Sequence, residues 1–202
     1  MTPPTSLPAR AYVLSWDRDR DRPSRTWTGY VLRAAALSDL WATGELADRD
    51  GRVVLTGRTP PSDPVLRDVW TEIGDAPDRW KHLVARNRSQ IEKAVARQLD
   101  QAGVIGIERE ATRLRRARVE VRNPLTFTRT FDRLGALLRS SERLSDPDAA
   151  LIGVLSVAGV RTAISKEHSR EYADRIARAI AQSGPAVPAL RHALHQARSS
   201  MS

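Results

Sequence analysis

Apolar residues recur at helical spacing along most of the chain, and polar or Gly/Pro-rich breaks cut that pattern into short segments. The stretch Ser6 to Trp16 begins with a capping serine and a first-turn proline and predicts a short helix. The alternating Asp/Arg run from Asp17 to Ser24 has no core face and reads as a loop. From Trp27 to Thr43 the apolar character extends most of the way round, which predicts a long, largely buried helix closed at Gly44. Glu45 to Asp48 and Arg52 to Thr56 flank Arg49-Asp50-Gly51, where the Asp-Gly pair predicts a small hairpin. The Asp63-Pro64 and Ala76-Pro77 pairs start helices over 64–74 and 77–86. Ser89 to Ala102 continues as a helix with Ile91, Val95 and Leu99 on one stripe, stopped by Gly103.

The β-prone runs Val104 to Glu108 and Arg116 to Arg122 predict a second hairpin, with 111–115 at its tip and Pro124 beyond its end. Four helical segments follow, Thr126 to Ser140, Pro147 to Ala158, Lys166 to Gln182 and Pro185 to Arg198, separated by Asp146-Pro147, Gly159 and Gly184-Pro185. No repeat or linker divides the chain. The expected architecture is one mainly α domain over 1–202 with one or two hairpins and a flexible start over residues 1–6.

Charge adds a constraint on partners. The 202 residues carry 33 Lys+Arg against 24 Asp+Glu, a formal net charge of +9, which favours anionic partners such as nucleic acid or lipid headgroups. Only Lys81, Lys93 and Lys166 are lysines, and this wealth of arginine and alanine is what a GC-rich genome writes. The longest apolar stretch, Ala149 to Val160, falls far short of the roughly 20 residues a bilayer span needs, so a soluble protein with at most peripheral membrane contact is expected.

The chemistry-bearing residues give no positive case for catalysis. There is no cysteine, hence no thiolate metal site or cysteine nucleophile. Of His82, His168, His192 and His195, only the last two share a helix face, without a metalloprotease motif around them. Neither a Gly-rich phosphate loop nor a Gly-x-Ser-x-Gly elbow is present. No enzyme activity, metal or cofactor is expected.

Arg33 is out of place, because Leu37 and Leu40 lie four and seven residues later on the same face. Its guanidinium serves either an anion site or an ion pair, for which Asp39 and several other acids are available. Trp27 opens the same helix, where an indole suits a ligand or membrane interface as well as the core. The densest basic run is Arg109, Arg113, Arg115, Arg116, Arg118 and Arg122, against Glu110 and Glu120. Helix 89–102 followed by this hairpin resembles a winged helix, although Glu92, Lys93, Arg97, Gln98 and Asp100 mix the charges of its exposed positions.

Several stretches together resemble the Golgi phosphoprotein family. Gly29-Tyr-Val-Leu-Arg-Ala-Ala-Ala-Leu-Ser-Asp-Leu-Trp-Ala-Thr-Gly-Glu-Leu46 is similar to the family's opening helix, and Ala96-Arg-Gln-Leu-Asp-Gln-Ala-Gly-Val-Ile105 to the helix that leads into its hairpin. Asp148 to Val160 and Pro185 to Leu190 fall where the family has an apolar helix and a closing segment. The resemblance implies a central helical bundle, surrounding amphipathic helices and one protruding β-hairpin. It also implies a cytoplasmic protein that binds phosphatidylinositol 4-phosphate at a membrane surface, as an adaptor for protein clients, here in a bacterial member at the inner face of the membrane.

The family pocket combines a tryptophan, an arginine on the opening helix and two arginines on the helix before the hairpin. Arg33 matches the first of these arginines and Trp27 lies near the tryptophan, while the other two fall on Ser89 and Glu92, with Arg86 and Arg88 as substitutes. The expected headgroup site is therefore Trp27, Arg33, Arg86 and Arg88, and the expected membrane-contacting tip is Arg113, Leu114, Arg115 and Arg116. An anionic phospholipid or phosphoinositide surface is the expected partner, and a protein client or self-association is compatible with it. A nucleic-acid-binding protein and a cytosolic scaffold without a lipid ligand are the alternatives.

Overall fold

The computed structural model describes residues 5–17, 22–23, 27–74, 77–108 and 118–200. The predicted flexible start falls largely outside that set, as does the tip of the second hairpin.

Helix α1 (Leu7–Leu14) is followed by two-residue strands β1 (Trp16–Asp17) and β2 (Arg22–Pro23), which pair antiparallel where the sequence suggested only a loop. Helix α2 (Thr28–Ala42) then runs through the middle of the molecule, buried on nearly every side. Its contacts reach six other helices, which explains why its apolar residues are not confined to one stripe.

Strands β3 (Leu46–Arg49) and β4 (Arg52–Leu55) form the predicted Asp-Gly hairpin, with Leu46 opposite Leu55 and Arg49 opposite Arg52. Helix α3 (Pro64–Ile73) starts as read, since the Asp63 carboxylate accepts the N–H groups of Val65 and Leu66. The predicted helix 77–86 is shorter. Its first residues form strand β5 (Asp78–Arg79), which pairs with Arg52 and Val53 of β4, and helix α4 (Trp80–Ala85) follows. Backbone pairing to a distant strand overrides the weak Ala76-Pro77 start.

Helix α5 (Arg88–Gln101) buries Ile91, Val95 and Leu99, the stripe read from the sequence. Strands β6 (Ile105–Glu108) and β7 (Arg118–Val121) pair with Ile105 opposite Val121 and Glu108 opposite Arg118. Helix α6 (Pro124–Arg139) is capped by Asn123 and begins two residues earlier than predicted. Helix α7 (Asp146–Ala158) is capped by Ser145 and closed by Gly159 in the left-handed region at φ 68°.

The single helix predicted over 166–182 is two, α8 (Lys166–Glu171) and α9 (Ala173–Gln182), because Tyr172 leaves the helical region at φ −106°, ψ 27°. Helix α10 (Ala186–Ser199) ends the described chain. The fold is mainly α and a single domain. Helices α2 and α7 form its centre, α1 is buried against them along almost its whole length, and amphipathic α5, α9 and α10 pack their apolar faces onto the same pair.

Candidate functional site

Arg33 points from α2 into the seam between α3 and α4. Its side chain is 1% exposed. The Nε donates to the Leu83 carbonyl at 2.8 Å, while Nη1 and Nη2 donate to the two Glu72 carboxylate oxygens at 2.7 and 3.2 Å. Burial lowers the pKa of this guanidinium, and the Glu72 carboxylate acts in the opposite direction. The ion-pair reading of Arg33 therefore holds, with Glu72 as the partner. Asp39 instead accepts the Leu7 backbone N–H at 2.7 Å, tying α1 to α2.

Glu72 is shared. The Arg86 guanidinium lies 3.7 Å from its Oε1 and donates from Nη2 to Asp78 at 2.6 Å. Asp78 also bonds His82 Nδ1 at 2.9 Å. Burial pushes the Asp78 pKa up, but the bonds from His82 and the Arg79 N–H and the nearby Arg86 charge outweigh it and hold the carboxyl below its ordinary range. Arg33 and Arg86 thus converge on one carboxylate, with Arg86 exposed where Arg33 is enclosed.

Trp27 and Arg88 gather on a different residue. The Arg88 guanidinium lies over the Tyr30 ring at 4.3 Å, and Tyr30 meets Trp27 edge-on with centroids 5.7 Å apart. The Arg198 guanidinium of α10 lies over the Trp27 ring at 5.6 Å. Trp27 sits at φ 64°, ψ 8°, a left-handed conformation that costs a bulky residue on the order of 1–3 kcal/mol and needs support from its surroundings. Trp27 does not start the helix as read; it is the residue before it, and its side chain offers no hydrogen bond to the helix end.

That end is satisfied from α5. The Gly29 N–H donates to the Glu92 carboxylate, so the position where the family resemblance implies an arginine carries the acid that caps α2. Burial raises the Glu92 pKa against this bond and the Arg88 charge. Ser89 is exposed on the first turn of α5. The four expected headgroup residues therefore divide into two groups, Arg33 with Arg86 around Glu72 of α3, and Trp27 with Arg88 around Tyr30 of α2.

A groove of about 530 Å³ opens between α3 and α5 above Arg33 and Glu72, with Arg67, Asp68, Gln90 and Arg97 on its walls. Sequence reasoning missed Glu72, Tyr30 and the groove. Each depends on helix packing that no local pattern records. The expected membrane-contacting residues Arg113, Leu114, Arg115 and Arg116 lie outside the described residues, and Arg122 at the base of their hairpin pairs with Glu120 at 3.3 Å. Among the described residues, no group of three or more His, Cys, Asp or Glu side chains could hold a metal ion, and no helix is long and apolar enough to cross a membrane.

This is a mainly α domain in which arginines and carboxylates meet at the seam of its central helix. Residues 7–197 match the family model described as Golgi phosphoprotein 3 (GPP34), and the chain belongs to that family. Comparison with curated proteins returns no match.

Proposed function

We propose that the protein is a peripheral membrane protein that binds anionic phospholipid headgroups, phosphatidylinositol 4-phosphate by family, and serves as a non-enzymatic adaptor for protein clients at the inner face of the membrane. The observation that carries this reading is the family match across 7–197. The clustering of Trp27, Arg33, Arg86 and Arg88 around the first half of α2 and the α4–α5 junction supports it. Exposed Arg86 and Arg88 are the cations that would meet a phosphate. Enclosed Arg33 acts through Glu72, offsetting the charge of the carboxylate that Arg86 also approaches. The hairpin residues Arg113, Leu114, Arg115 and Arg116 add attraction to the surface, at about 1 kcal/mol for each cation near an anionic bilayer and over about a Debye length.

Liposome flotation at physiological salt tests this, comparing phosphatidylinositol 4-phosphate vesicles with phosphatidylserine vesicles of matched surface charge. Preference for the phosphoinositide, lost in a Trp27→Ala, Arg88→Glu protein, is expected. Equal recovery on both vesicle types, or an unchanged preference in the variant, would refute the headgroup site.

A further inference from the structure

We infer that the face formed by α7, α9 and α10 carries a second ligand site, one that takes an amphiphilic oxyanion: a phosphate or carboxylate on a hydrocarbon body. This inference is independent of the headgroup reading, because none of the residues of that site contributes to it. A cleft of about 460 Å³ lies here. Arg161, from the turn after α7, and Arg191 of α10 both line it and both are exposed.

The charge of this cleft is unbalanced. None of the described residues that line it is acidic, whereas the α3–α5 groove contains Asp68 and Glu72 beside its arginines. Arg161 donates from Nη1 to Ser169 Oγ at 3.1 Å and has no carboxylate partner among the described residues. Arg191 makes no hydrogen bond or ion pair with any described residue. Two guanidinium groups without counter-charge at one cleft suit an oxyanion, which each can bind with charge-assisted hydrogen bonds.

Two further observations narrow the ligand. Ser156 lines the cleft, and its Oγ is buried with no hydrogen-bond partner. A buried hydroxyl left in that state costs free energy, and a χ1 rotation that turns it toward a ligand oxygen in the cleft would relieve it. The remaining wall is apolar, built from Val157, Ile176 and Ile180. A bare inorganic ion would leave that wall and most of the volume unused, whereas a chain attached to the charged group would cover both.

Isothermal titration with dodecyl phosphate below its micelle concentration tests the site, with inorganic phosphate and dodecyl maltoside as comparisons. Saturable one-to-one binding of dodecyl phosphate is expected, with inorganic phosphate much weaker and the neutral amphiphile absent. Arg161→Ala with Arg191→Ala should lower the affinity at least about tenfold, while Arg58→Ala with Arg129→Ala, exposed arginines outside both sites, leaves it unchanged. Vesicles of phosphatidic acid in a parallel flotation, in an Arg86→Ala, Arg88→Ala background, separate a bilayer source from a dispersed one: a further drop in recovery on adding Arg161→Ala with Arg191→Ala assigns the membrane, and an unchanged recovery assigns the dispersed amphiphile. No saturation with dodecyl phosphate, equal affinity in the Arg161, Arg191 variant, or equal binding of the maltoside would overturn the inference.

Discussion

Arg33 and Glu72 form a two-pronged ion pair across the α2–α3 seam, with the arginine almost fully enclosed and the carboxylate 21% exposed. Removing the acid alone strands a desolvated cation, which is the costly way to break such a pair. Glu72→Ala should therefore destabilise the fold by about 3 kcal/mol, the low end of the range for buried pairs because Glu72 reaches solvent. Replacing both partners, as Arg33→Met with Glu72→Leu, should cost less than Glu72→Ala alone. Urea unfolding of the three proteins checks the order, and a silent Glu72→Ala would show that the pair contributes nothing to stability.

Gly29 permits the close crossing of α2 and α5. A Cβ at this position would lie 2.6 Å from the Arg88 Cβ and 2.9 Å from the Arg88 carbonyl oxygen, and neither is the far end of a flexible side chain. The backbone itself would have to move. Gly29→Ala should cost about 1–3 kcal/mol, as overpacking does, and should displace Arg88 from the Tyr30 ring. Thermal unfolding measures the first effect. Weakened flotation on phosphoinositide vesicles, at a temperature where the variant is folded, reports the second.

The helix starts and the buried stripes were legible because they are local. Asp63-Pro64 and Gly159 determine their own surroundings, and Ile91, Val95 and Leu99 repeat at the helical period. Arg33 was legible as an anomaly on an apolar face. Its partner was not, since Glu72 is 39 residues away and meets it only after α3 docks. Strand β5 escaped for the same reason: two residues next to Trp80 become a strand because β4 is present to pair with them. The break at Tyr172 has no glycine or proline to announce it, so 166–182 read as one helix.

Acid should weaken the fold through Asp148. This residue is 5% exposed and accepts hydrogen bonds from Arg10 at 2.7 Å, Ser145 Oγ at 2.9 Å and Arg133 at 3.3 Å. Burial pushes its pKa up, but the Arg10 and Ser145 bonds and the two arginine charges outweigh it and hold the pKa below the ordinary value. A depressed carboxylate contributes stability that is complete above the unfolded value of about 3.9 and is lost as pH falls through the lower folded value. Asp148→Asn should lower stability at pH 7 by about 1–3 kcal/mol and flatten the decline between pH 5 and the acid limit, as read by urea midpoints across that range. An unchanged acid limb would mean that another carboxylate governs it.

Glu92 couples the cap of α2 to the proposed headgroup site, and the two roles pull in opposite directions. Its raised pKa means that ionised Glu92 is less favourable in the folded protein than in the unfolded one, so its contribution weakens as pH rises through the ordinary glutamate range. Glutamine at this position keeps an oxygen to accept the Gly29 N–H and cannot ionise. Glu92→Gln should therefore be at least as stable as the parent at pH 7, with the difference closing below about pH 4, the ordinary range for the free side chain. The same change removes a negative charge beside Arg88. At about 1 kcal/mol per charge near an anionic surface, vesicle affinity should rise by about fivefold. Flotation across a salt series, paired with urea unfolding at two pH values, measures both effects on one variant. A gain in stability without a gain in vesicle binding would leave the capping role intact and remove Glu92 from the lipid-facing surface.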